Sequence, residues 1–306
     1  MVKTTISLFV ALYLALPVRK EVSLSYNLKV GDRFELKQKT EQKVIQTIMG
    51  MDQTGNNTYD GTIEMRVLSS DANQIRLEAK MTQLKCHMKN FMNKTTVDSD
   101  GQQSEPSNKI VQAMMNRVFY VTLSRTGNVE KVEGVDNLWT GVNDLNVSTE
   151  EKDKVKSSIG QMINESSFRN GLGQAFVPYA TKAVGNGDTW TTKNGIPMEL
   201  PVISDLTWTL ESATSSQAVV NGKGILRTVD KEKVVTLPGD MKAKVNLGGD
   251  QKVQSATSTK TGLPDKVIVD AKLSGVFLLL AGGILPFDVE VPSKIDTHTE
   301  YTFSRK

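Results

Sequence analysis

The chain has 306 residues, with 37 Lys plus Arg against 34 Asp plus Glu and a formal net charge of +3. Its 38% hydrophobic and 23% charged fractions are those of a soluble globular protein with one large or two ordinary domains. Acids and bases are interspersed, which gives no clustered basic face for nucleic acid, and a single cysteine, Cys86, excludes an intramolecular disulfide.

Residues 1–18 read as an export signal. Lys3 precedes the apolar run from Ile6 to Leu16, which Pro17 ends, and the run has the length of a signal-peptide core rather than of a spanning helix. No small-x-small cleavage site follows, and no cysteine stands there to take a lipid. The mature protein is expected in the periplasm or at the cell surface, with no transmembrane span.

Residues 22–30 alternate, with Val22, Leu24, Tyr26, Leu28 and Val30 on one face, which predicts a half-buried strand. A turn at Gly31-Asp32 leads into Phe34 and Leu36. The polar stretch Lys37 to Lys43 predicts an edge strand or one that outruns its sheet. A turn is expected at Gly55-Asn56-Asn57. Strands through Ile63, Met65 and Val67 and through Ile75, Leu77, Ala79 and Met81 then form a hairpin around Ser69–Asn73. Pro106 opens a short helix over 107–117, and residues 118–123 form a strand whose partner runs through Val129 and Val132.

Ser148 with Glu151 three residues later forms a capping box, ahead of the apolar stripe Val155, Ile159, Met162 and Ile163. The helical region continues through Phe168, Leu172, Phe176 and Val177 to Pro178. Beyond Gly187 the chain is strand-rich again. Its most apolar stretch, Val276 to Phe287, is split by Gly282-Gly283 into two strand-length halves, as a tight hairpin would be.

Three echoes recur in order and point to a diverged internal repeat. Lys29-Val30-Gly31-Asp32-Arg33-Phe34 is answered by Val184-Gly185-Asn186-Gly187-Asp188-Thr189-Trp190. Thr62-Ile63-Glu64 with Ser69-Ser70 is answered by Thr209-Leu210-Glu211 with Ser215-Ser216. Arg125-Thr126-Gly127 to Val132 is answered by Lys260-Thr261-Gly262 to Val267. Asp32 and Asp188 are turn residues in this reading, their carboxylates folded onto nearby backbone N–H groups. The expected fold is mainly β: two related antiparallel halves of curved-sheet or half-barrel type, 19–147 and 179–306, around a helical connector at 148–178. Curved sheets enclosing a helix look like the half-barrels of periplasmic lipoprotein carriers, an analogy of fold alone.

The chemistry is mostly one of absences. His87 and His298 are the two imidazoles and lie far apart in sequence; neither belongs to a zinc motif. No nucleophile elbow, phosphate loop or complete dinucleotide glycine motif occurs, and Asp98-Ser99-Asp100-Gly101 lacks the later ligands of a calcium loop. The three tryptophans read as core anchors, and no cofactor or metal is expected. Methionine is adaptable, and Met81, Met114 and Met115 with Phe277, Leu279 and Ile284 are candidate residues for lining an apolar site.

The Val-Gly-Asp-x-aromatic strand start at Val30 to Phe34, its counterpart near Val184 to Trp190, Pro178 ahead of the second, and the Thr-Gly turns together resemble an exported Bacteroidota family of unknown function. The likeness covers nearly all of the mature chain. Members often carry a lipid-anchoring cysteine after the signal, which this chain lacks, and the family supplies no catalytic residues. The expected function is a non-catalytic envelope protein that binds an apolar small molecule, such as a lipid, or an envelope protein. The alternative is a hydrolase acting on glycans or lipids through a carboxylate pair that the sequence hides.

Overall fold

The computed structural model describes residues 21–89, 94–197, 200–237, 241–282 and 285–306; the export signal read at residues 1–18 lies outside them. The chain is 58% strand and 14% helix, in one large antiparallel sheet that is not closed into a barrel. The first half supplies β1 (Arg33–Ile48), β2 (Met51–Ser70), β3 (Gln74–Lys89), β4 (Lys94–Asp98), α1 (Pro106–Met114), β5 (Val118–Ser124) and β6 (Val129–Glu133). Three helices follow: α2 (Asn137–Asn143), α3 (Thr149–Ile159) and α4 (Glu165–Ala175). The second half supplies β7 (Thr189–Gly195), β8 (Val202–Ala213), β9 (Gln217–Thr228), β10 (Val234–Leu237), β11 (Met241–Ser258), β12 (Pro264–Leu279) and β13 (Val289–Arg305). The strand order is β6-β5-β3-β2-β1-β13-β12-β11-β9-β8-β7, with β4 beside β3 and β10 beside β11.

Side-chain alternation gives the sheet two unlike faces. In register across β2, β1 and β13 stand Met65, Phe34 and Arg305, then Ile63, Leu36 and Phe303. This inner face carries the helices, and its apolar residues form the main core with Ile110, Leu138, Ile159 and Leu172 from α1 to α4. Five aromatic rings interlock there: Phe176 stands edge-on to Tyr26 at 5.7 Å and to Phe34 at 6.5 Å and lies 5.3 Å from Phe303, and Tyr26 stacks on Tyr179 at 5.2 Å. Each such buried side chain stabilises the fold by about 1.5–3 kcal/mol. The outer face is charged, with Lys37, Lys39, Glu41 and Lys43 on β1 opposite Thr302, Glu300, His298 and Asp296 on β13.

The repeat shows in hydrogen bonds. Asp32 Oδ2 accepts from Lys29 N at 2.8 Å, and Asp188 Oδ2 accepts from Gly185 N at 2.8 Å. Gly31 N donates to Val67 O and Val67 N to Asp32 O; Gly187 N donates to Leu210 O and Leu210 N to Asp188 O. Both glycines hold positive φ, 90° and 84°, which a side chain would strain. In the second echo Leu210 answers Val67 rather than Ile63, four residues out of step with the sequence match. Bulges after Val67 and after Leu210 confirm this pairing. The two Thr-Gly turns correspond as β5-β6 and β11-β12, and where the second half continues into β13 the first continues into the helices.

Several sequence expectations are corrected. Residues 22–30 form no strand: Leu24, Tyr26 and Leu28 are buried alternately, but Val22 bridges Val184, Tyr26 N bonds Arg125 O, and Asn27 N bonds Thr261 O. Its backbone partners are scattered over three turns rather than ranked along one strand. The polar middle of β1 is not at an edge, since β1 lies between β2 and β13. Its inward polar groups satisfy one another: Thr40 bonds Thr299 at 3.0 Å, and Gln42 donates to Thr297 at 3.3 Å and accepts from Asn57 at 3.0 Å. Gly55-Asn56-Asn57 lies inside β2; the turn is at Met49-Gly50, both at positive φ, the geometry of a two-residue hairpin. The Gly282 region does reverse, with Gly282 and Leu285 exchanging backbone bonds. No strand follows at 285–287, because Ala281 N is tied to Asp288 Oδ1 at 2.6 Å and β13 starts only at Val289. The α1 helix ends at Met114, and the connector breaks at Gly160–Asn164, where Asn164 caps α4 by accepting from Ser167 N at 2.9 Å.

Candidate functional site

The six apolar candidates divide between two places. Met81 lies on the inner face of β3 and Met114 on α1, both buried, with Met115 packed beside them in the helix-covered core. Asn116 N donates to Met81 O at 2.8 Å, which fixes this corner. Phe277 and Leu279 belong instead to a second apolar cluster at the opposite end of the sheet, with Val245, Leu247, Val291 and Ile295. Ile284 lies outside the described residues. The structure therefore does not gather the set into one cavity.

The second cluster sits at what we call the far end, where β1 runs into β2, β9 into β10 and β12 into β13. A layer of inward polar groups separates it from the main core, including Gln251, which accepts from Ser204 Oγ at 2.5 Å. Among the described residues seven large apolar side chains are left exposed, and five of these stand on far-end tips: Met49 (83% exposed), Met51 (63%), Val229, Val234 and Phe287 (62%). Single exposed apolar residues are unremarkable, but their concentration on the tips around an apolar cluster is not. The signal in the sequence was Ile48-Met49-Gly50-Met51, an apolar run at a hairpin tip, which the expected turn at Gly55 had placed inside a strand.

The two histidines, distant in sequence, share one row of the outer face: Asp270, His298, Glu41, Thr58, His87 and Thr96 are successive cross-strand partners. Three strand spacings put the imidazole positions about 14 Å apart, too far to act on one bond. His298 Nδ1 meets Asp270 Oδ1 at 2.7 Å and Nε2 lies 3.6 Å from Glu300. The hydrogen bond to Asp270 holds the imidazole pKa above its ordinary value, with Glu300 assisting. A groove of about 420 Å³ runs beside this row, lined by Glu41, Asp270, Asp296 and His298 among others. His87 Nδ1 lies 3.0 Å from Thr96 Oγ1 on an exposed surface. Beside it in sequence Cys86 faces inward, and burial pushes its thiol up to about 12, so it is not a nucleophile at neutral pH. Asp98 and Asp100 are engaged by Lys85 at 3.5 and 3.2 Å. Among the described residues no group of three His, Cys, Asp or Glu side chains is placed to hold a metal.

A third feature lies where the sheet fails to close. Helix α4 occupies the seam between edge strands β6 and β7 and ties to both ends of it: Glu165 Oε1 accepts from Gly134 N at 3.0 Å, and Asn170 Nδ2 donates to Ile196 O at 2.8 Å. A cavity of about 220 Å³ remains there, bounded by Gly127–Val129, Arg169, Asn170, Gly173, Pro178 and Lys193–Gly195.

No helix among the described residues is long and apolar enough to cross a membrane. The sheet's polarity, charged outside and apolar inside, is also the reverse of the lipid-facing apolar band of a spanning barrel.

No curated protein matches the chain. Solved structures with distant likeness include the following three. One, titled "Lipid-protein interactions in lipovitellin", is 11% identical with a TM-score of 0.49, over 90% of this chain and 25% of that one; the chain thus spans about a quarter of its length. An outer membrane channel from Pseudomonas putida F1 is 7% identical with a TM-score of 0.27, over 91% and 97% of the two chains. The outer membrane protein OprG from Pseudomonas aeruginosa is 7% identical with a TM-score of 0.23, over 92% and 99%. At these values none bears on fold or function. The sequence itself is decisive: residues 72–264, more than half of the chain, match the family described as "Family of unknown function (DUF6263)", and the chain belongs to that family.

Proposed function

We propose that the protein is a non-catalytic binding protein that takes an apolar ligand, a lipid chain, at the far end of its sheet. The observation that carries this reading is the clustering of Met49, Met51, Val229, Val234 and Phe287 on the tips around the second apolar cluster. Exposed apolar area of this kind costs solvation free energy that contact with a lipid removes, at about 25 cal/mol per Å². Methionine at the rim suits a ligand of variable shape. The separation of the two histidines and the inert Cys86 support a role without acid–base or nucleophilic catalysis. Export by residues 1–18 belongs to the same reading, and places the protein in the periplasm or at the cell surface.

Flotation of the purified chain with phosphatidylcholine vesicles, beside native mass spectrometry of protein prepared without detergent, tests the binding. Wild type should float or carry lipid, and Met49→Asp/Met51→Asp/Phe287→Asp should do neither while keeping its circular dichroism. Wild type that neither floats nor carries lipid would sink the proposal. Fractionation of an expressing bacterium with N-terminal sequencing tests export, which cytoplasmic protein with an intact Met1 would refute.

A further inference from the structure

We infer that the seam cavity between β6 and β7 is a binding site for a small phosphate-bearing molecule. Its occupant is separate from the lipid proposed at the far end, and the inference does not depend on that reading. Arg169 and Lys193 line the cavity with Asn128, Asn170 and Asn194, and no acidic residue does; the Asn128 amide also donates to Thr126 Oγ1 at 3.2 Å. Among the described residues Arg169 has no hydrogen-bond or ion-pair partner, so its planar fork of donors is uncommitted. Lys193 lies 3.6 Å from Asp205, but Arg227 holds that carboxylate more closely, at 3.0 Å. Two cations beside amide donors, in a recess the size of a small polar molecule, form the donor set that phosphate oxygens accept from.

A second observation concerns Gly173, on the same wall. Glycine inside a helix is unfavourable relative to alanine, and such positions usually let a neighbour approach closely. Here a Cβ would meet nothing within 4 Å. The missing side chain relieves no contact in the protein; what it leaves is the space of the cavity. The neighbouring amide is held in place, because Asn170 is tied to Ile196 O at 2.8 Å and packs over Gly195, where an added Cβ would come within 2.6 Å of it.

The test titrates the folded chain with inorganic phosphate, followed by the side-chain amide resonances of Asn128, Asn170 and Asn194. Saturable shifts are expected. Arg169→Gln and Lys193→Gln should each weaken binding about tenfold, the loss of one charge-assisted contact. Gly173→Leu should abolish binding with no loss of thermal stability; should that variant fail to fold, Gly173→Ala should still weaken binding while leaving the unfolding temperature equal or higher. Vesicles with and without phosphatidic acid identify the source: competition by phosphatidic acid alone means a lipid headgroup, and its absence means a free phosphate compound, and either supports the site. No saturable shift in the wild-type chain, or shifts undiminished in the Arg169→Gln/Lys193→Gln double variant, would overturn it.

Discussion

The core beneath the helices and the apolar cluster at the far end share the same sheet but are built differently. The first is aromatic and interlocked, with Phe176 against Tyr26, Phe34 and Phe303. The second is largely aliphatic, ringed by exposed tips and set apart by a polar layer in which Thr40, Gln42, Thr297 and Thr299 bond one another. The difference separates two duties. Interlocking rings specify one arrangement and supply stability, whereas an aliphatic patch behind exposed methionines tolerates rearrangement.

The comparison breaks most severely at Phe176. Phe176→Ala should destabilise the fold by about 3–5 kcal/mol, read from urea unfolding, because the neighbouring rings of Tyr26, Phe34 and Phe303 cannot collapse into the void. Gly262→Ala should come next. Its φ is 69°, and a Cβ there would stand 2.0 Å from Ser25 O, so a loss of about 1–3 kcal/mol is expected and equilibrium unfolding measures it. Asp32→Ala and Asp188→Ala test the repeat: both remove a carboxylate bond to a turn N–H, worth about 1 kcal/mol, and Asp32→Ala also removes an exposed 3.7 Å pair with Arg305.

A smaller effect is expected at His298. Its folded pKa is raised by Asp270 and Glu300 above its ordinary value of 6.5, so the contribution is fully present below pH 6.5 and is lost as pH rises through the folded value. Asp270→Asn should flatten that part of the profile of unfolding midpoint against pH; a profile unchanged by the substitution would count against the pair. Smallest of all, Met49→Asp should shift stability by less than about 0.5 kcal/mol, since the side chain is exposed. A large loss would show that the far-end tips are structural and remove the distinction drawn here.

Much of this architecture was legible because strands and caps announce themselves locally. Ile75 to Met81 alternate, Ser148 caps α3 by accepting from Glu151 N at 3.3 Å, and the repeated Gly-Asp turns pointed to two related halves. What failed depended on tertiary partners. Tyr26 alternates like a strand residue yet bonds to Arg125, and the polar run in β1 looked like an edge because its inner partners come from residues near 297–299. The short α2 carried no side-chain cap to announce it. The candidate methionines were correctly apolar, but composition cannot tell a filled core from a rim. Register alone brings His87 and His298 into one row, and the seam cavity exists because a helix stands where the repeat calls for a strand.

Strand β13 is the last in chain order and the central one in space, with β1 on one side and β12 on the other. Phe34 pairs with Arg305 across nearly the whole length of the chain. Strand β1 thus has one of its two neighbours only after β13 has been made, and contacts of such long sequence separation slow folding. Until then each half keeps an open edge able to pair with another chain. A truncation before Val289 would leave β1 and β12 each with an unpaired edge in the middle of what is one sheet in the full chain.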